Sequence, residues 1–119
     1  MDEAVLDASA VLALVKREPG WENVEEVKRR FVSAVNLAEV GSVLAKAGYG
    51  QPDLEVTFAA LRLSVVDFDR HQAMEVSRLH RVTEQFGFSL GDRACIALGT
   101  LRGLPIVTAE RTWKGALPR

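Results

Sequence analysis

Short β-rich runs alternate with helical periodicities along the chain, and this ordering limits the fold more than any other feature. The runs lie at 4–6, 31–35 ("FVSAV"), 63–68 ("LSVVDF") and 106–108 ("IVT"), each pair separated by amphipathic stretches. A helix over 10–17 is stopped by Pro19 and Gly20, after which Trp21, Val24 and Val27 again carry helical spacing. Asn36 is expected to cap a helix with Leu37, Val40, Leu44 and Ala47 inward, ending at Gly48. Pro52 stands at the start of another, with Leu54, Phe58 and Leu61 inward. Asp69 caps a long helix that turns Ala73, Val76, Leu79, Val82 and Phe86 inward and stops at Gly87. The last helix covers 90–102 and closes at Gly103 and Pro105. Strands separated by helices pair in parallel, because the crossover must carry the chain back to its starting edge. The predicted class is therefore α/β, a three-layer α/β/α arrangement around a central parallel sheet of four short strands. Right-handed crossovers set every strand-to-helix turn along the carboxyl edge, where ligands of such sheets bind.

At 119 residues the chain has room for one core, so residues 1–119 read as a single domain. With 48% hydrophobic and 26% charged residues it has the balance of a globular protein rather than a disordered one. No apolar stretch reaches the roughly 18 residues of a membrane span. Asp2 and Glu3 stand where a secretory signal would be basic, and the expected location is the cytoplasm, without membrane attachment. Cys95 lies among Ala94, Ile96 and Ala97 and reads as a buried thiol. A net charge of -1 offers no blanket attraction to nucleic acid, so any polyanion must be held locally.

Asp7 is the one charge in the apolar run "AVLDASAVLALV". A carboxylate in such surroundings takes up a proton unless something neutralises it. Three further acids fall on the same carboxyl edge: Glu39, Asp92 and Glu110. Each also has a local reading. Asn36 and Glu39 fit a capping box, and on spacing alone that is the stronger reading. Ser89 and Asp92 fit it less well, leaving both readings open, and Glu110 beside Arg111 reads alone as a surface charge. Asp7 follows an apolar strand with no obvious helix start, which points to function. Gathered at one rim, four carboxylates repel one another unless a cation intervenes, and their oxygens suit a hard divalent ion such as Mg²⁺ or Mn²⁺.

Four stretches then carry a resemblance: "VLDASAVLALV", "SAVNLAEVGSVL", "FSLGDRACIALG" and "LPIVTAERTW". In this order the chain resembles a PIN domain, most closely the VapC-type ribonuclease toxins of bacterial and archaeal toxin–antitoxin pairs. The resemblance implies a compact PIN-like α/β/α fold and a Mg²⁺- or Mn²⁺-dependent endoribonuclease. By position, the metal acids would be Asp7, Glu39, Asp92 and Glu110, with Thr108 as the site hydroxyl and Ser9 close by. Asp7 and Asp92 are expected to be direct ligands. The family usually has aspartate where Glu110 stands, and "KGALPR" is short for the usual fifth strand.

Arg93 and Arg111, beside site acids, are candidate phosphate contacts together with Ser9, whereas Arg78 and Arg81 read as solvated charges. His71 and His80 lack ligand spacing. The resemblance further implies an RNA substrate, a homodimer and a small antitoxin lodged near the active site. Trp21, Tyr49, Phe58 and Leu63 are apolar residues consistent with an interface. Two alternatives remain: a PIN-like module that binds RNA or antitoxin without catalysis, and a phosphoacceptor receiver domain. The second lacks the adjacent acidic pair, since Ala8 follows Asp7.

Overall fold

A computed structural model describes residues 2–109. The elements follow the order β1 (Glu3–Leu6), α1 (Ala8–Lys16), α2 (Trp21–Glu25), β2 (Arg29–Ser33), α3 (Ala34–Lys46), α4 (Gln51–Ala60), β3 (Leu63–Val66), α5 (Arg70–Thr83), α6 (Leu90–Arg102) and β4 (Ile106–Val107), with a 3₁₀ turn at Glu84–Phe86. The four strands form one sheet in the order β3-β2-β1-β4, every pair parallel. This is the expected α/β architecture, and β1 and β2 are its central strands.

Strand periodicity divides the interior into two cores. Val5 and Phe31 are register partners on one face, and with Ile106 they pack against Val76 and Leu79 of α5 and the buried stripe of α6. One residue further along, Leu6, Val32 and Val107 face the other way, onto Val11 and Leu14 of α1, Val24 of α2, Val40 and Leu44 of α3 and Leu54 of α4. Alternate side chains of one strand thus serve opposite layers, which is how strands this short are covered by helices on both faces.

Several boundaries differ from the sequence expectation. The strand expected at 31–35 ends at Ser33, because the Ser33 hydroxyl accepts from Val35 N and caps α3 at once. Asn36 is therefore not a cap but a residue of the first turn, 1% exposed. Helix α1 begins at Ala8, and Arg17 in the left-handed region ends it. Along α5 the inward positions are Gln72, Val76, Leu79 and Thr83, while Val82 and Phe86 are exposed. The expected stripe drifted because 3.6-residue spacing continues from Val76 through Leu79 to Thr83, not Val82. Ala47 caps α3 and is exposed. The β3 and β4 ladders stop at Val66 and Val107, short of the runs predicted. Asp69 and Gly103 take up the terminal positions expected of them, whereas α5 ends at Thr83 and Gly87 closes the 3₁₀ turn that follows it.

Tyr49, Phe58 and Leu63 are partly buried against the second core, and Trp21 lies beneath the Arg17 guanidinium at 4.0 Å. The apolar residues offered as interface candidates are thus largely covered by the chain itself. The exposed large apolar residues are others, among them Met74, Val82, Phe86 and Leu90.

Candidate functional site

β1 delivers Asp7 to the carboxyl edge of the sheet, where it caps α1. Its Oδ1 accepts from Ala10 N at 2.8 Å and from Ser9 Oγ at 2.7 Å; its Oδ2 accepts from Thr108 Oγ1, just past β4, at 2.5 Å. A local helix start therefore does exist at Asp7, contrary to the sequence reading. The cap alone does not account for a carboxylate that is 3% exposed, since a neutral serine or asparagine would cap the helix at a lower desolvation cost. Burial pushes the Asp7 carboxyl above its ordinary range despite the bonds from Thr108, Ala10 and Ser9, and the charge of Asp92 pushes the same way. The protein alone leaves this negative charge incompletely compensated.

Ser9 and Thr108 each have one hydroxyl hydrogen, and both go to Asp7. Ser9 Oγ in turn accepts from Ala109 N at 2.9 Å. Ser9 thus stitches the start of α1 to the segment after β4.

Glu39 projects from α3 and is exposed. The capping box expected for Asn36 and Glu39 is absent, because Ser33 holds the cap position. Instead Asn36 Nδ2 donates to Glu39 Oε1 at 3.2 Å and to the Gly91 carbonyl of α6 at 3.0 Å. The Glu39 carboxyl lies directly on Gly91, where a Cβ would overlap it. Asn36 escaped the sequence reading although a signal was present: positions 36, 40 and 44 share one helix face, and the other two are core valine and leucine.

Asp92 stands in the first turn of α6. Asp92 N donates to Ser89 Oγ at 3.1 Å and Ser89 N donates to Asp92 Oδ2 at 2.9 Å, so the capping box left open by the sequence is formed. Arg93 Nη1 donates to the Val76 carbonyl of α5 at 3.3 Å, and its Nε is buried. Arg78 is paired with Glu75, as its surface reading required. Glu110 and Arg111, with the stretch considered for a fifth strand, lie outside the described residues.

The Cys95 thiol is buried beneath these elements. Burial pushes it well up, and Asp7, Asp92 and Glu39 all add to the effect. Among the described residues no three His, Cys, Asp or Glu side chains are close enough together to hold an ion by themselves. The donors are nevertheless carboxylate oxygens around an under-compensated charge. That set fits a hard cation such as Mg²⁺, which keeps several waters and takes only one or two carboxylates directly. Beside Glu39 runs an open, largely apolar groove lined by Ala34, Val35, Ala38, Val43 and Phe68.

Parallel strands with helices on both faces define an α/β protein, and at the carboxyl edge of its sheet lies the buried Asp7 with the Ser9 and Thr108 hydroxyls on it. The chain belongs to the PIN domain family, whose model matches residues 4–116. PIN domains are in general nucleases. No curated protein matches the sequence. Among solved structures, the chain resembles one from a toxin–antitoxin complex of Klebsiella pneumoniae, at 18% identity and TM-score 0.72, covering 94% of this chain and 91% of that one. It also resembles a chain of VapBC2 from Rickettsia felis, solved bound to a promoter DNA fragment, at 16% identity and TM-score 0.73, covering 96% and 92%. A third is PAE2754 from Pyrobaculum aerophilum, at 23% identity and TM-score 0.62, covering 98% and 85%. At these identities the likeness is one of fold.

Proposed function

We propose that the chain is a divalent-metal-dependent endoribonuclease, the toxin component of a toxin–antitoxin pair. The observation that carries this reading is Asp7: a buried carboxylate held by three donors yet still short of positive charge, with Asp92 and Glu39 acting on the same interior. Asp7 and Asp92 would hold Mg²⁺ or Mn²⁺, with Glu39 and Glu110 engaging its waters. Such an ion, when bound, supplies a Lewis acid for the phosphodiester and lowers the pKa of a water. The chain's own part is to favour the ionised form of Asp7 through Thr108 and Ser9, against the effect of burial, and to keep Asp92 at the positive end of α6 through the Ser89 box.

The toxin–antitoxin neighbours support a small protein partner, and the apolar groove beside Glu39 is the seat proposed for it. Exposed Val82, Phe86 and Leu90 support a homodimer, which size-exclusion chromatography would test. We place the protein in the cytoplasm; among the described residues no helix is long and apolar enough to cross a membrane. The receiver-domain alternative needs an acidic residue after a strand adjacent to β1. Asp67 follows β3, but β2 separates β3 from β1, leaving Asp67 roughly two strand spacings, about 9.5 Å, away.

The deciding experiment is cleavage of RNA with Mg²⁺ or Mn²⁺, with and without chelator, beside Asp92→Asn. Metal-dependent cleavage abolished by chelator and by the substitution is expected. Metal and RNA binding without turnover would establish the non-catalytic module instead.

A further inference from the structure

Asn36 and Gly91 break local rules at facing positions, and both exceptions serve one carboxylate. Asn36 occupies the inward stripe of α3, one and two turns ahead of Val40 and Leu44, where an apolar side chain would cost nothing. It is 1% exposed, and its Oδ1 is buried with no hydrogen-bond partner among the described residues. An amide in that position carries an uncompensated desolvation cost, which packing alone does not explain. Both hydrogens of its Nδ2 are used, one on Glu39 Oε1 and one on the Gly91 carbonyl, so a single amide joins the acid to α6.

Gly91 is the second exception. It lies inside a helix, where glycine is disfavoured relative to alanine. Any Cβ there would overlap the Glu39 carboxyl, so the missing side chain is the space the acid occupies. Local preferences surrendered at two sites for the same group mark function rather than folding.

We propose that Asn36 is a positioning residue, which with Gly91 fixes the Glu39 carboxylate against the first turn of α6 before any cation arrives. The inference rests on the metal-centre reading above and adds the device that orients one of its acids. Outer partners of this kind typically change metal affinity by 10- to 100-fold when removed.

The test is Mn²⁺ uptake by isothermal calorimetry on the full chain, comparing wild type with Asn36→Ala, Gly91→Ala, Glu39→Ala and the Asn36→Ala/Glu39→Ala double variant. Thermal unfolding in chelator monitors folding of each. Asn36→Ala is expected to weaken Mn²⁺ about 10-fold or more. Gly91→Ala, which leaves Asn36 intact and favours the helix, is expected to weaken it in the same direction. In the Glu39→Ala background the loss of Asn36 should change nothing further, because its effect passes through that carboxylate. Should Asn36→Ala fail to fold, Asn36→Leu, which removes the amide at similar volume, takes its place in both backgrounds. Unchanged affinity in both single variants, or an equal loss with Glu39 already removed, overturns the inference. A wild type that takes up no Mn²⁺ would bring down the metal-centre reading and this inference together.

Discussion

Replacing Asp7 by asparagine removes the charge at almost constant volume. The amide oxygen continues to accept from Ala10 N and Ser9 Oγ, and the amide nitrogen donates to Thr108 once that hydroxyl turns round. Three hydrogen bonds to a charge become neutral ones, a loss of about 1 kcal/mol each. Against this stands the penalty of keeping an ion in the interior, several kcal/mol in real proteins. For Asp7 burial is the largest influence, and with the Asp92 charge it outweighs the three bonds. Asp7→Asn should therefore stabilise the metal-free protein at pH 7 by about 1 kcal/mol, roughly 4 °C in Tm, while abolishing cleavage. The sign with pH follows from linkage. A carboxyl whose folded pKa lies above its unfolded value, about 3.9, contributes stability complete below that value and lost as pH rises through the folded one. Wild type and variant should thus converge near pH 4 and separate toward neutrality. Urea unfolding in chelator at several pH values measures the gap. Saturating Mn²⁺ at 100 times its Kd should reverse the order, adding about 2.7 kcal/mol to the wild type alone. A variant less stable than wild type at pH 7 in chelator, or a gap independent of pH, would refute the reasoning.

Thr108→Val deletes the donor that holds the Asp7 pKa down, and should destabilise the protein by about 1–3 kcal/mol at pH 7. Repeating the same pH series should show the ionisation of Asp7 displaced upward. Gly99→Ala places a Cβ 2.8 Å from Ile106 Cγ1 and 3.2 Å from the Leu104 carbonyl, and should cost about 1–3 kcal/mol in urea unfolding with no change in Mn²⁺ affinity. Arg30 donates to the carbonyls of Val27, Leu61 and Glu25 at 3.1, 2.8 and 2.9 Å. Arg30→Met should lower stability by about 2 kcal/mol, and Arg30→Lys should recover under half of that, because one ammonium cannot span three acceptors.

The alternation of apolar runs with helical stripes was enough to determine the parallel α/β sheet, since side-chain period and crossover length are properties of the chain itself. So were the termini at Asp69 and Gly103, where local backbone chemistry decides. The acids Asp7, Glu39 and Asp92 were also legible as candidates for the carboxyl edge. What each does there was not. Whether Glu39 serves a capping box or turns to α6 depended on Ser33 claiming the cap and on the empty volume over Gly91, fifty-odd residues away. That Arg93 answers to α5 and Ser9 to Asp7 likewise emerged only from packing. Periodicity and capping are one-dimensional signals, whereas burial and the pairing of distant polar groups arise only when the layers close on one another.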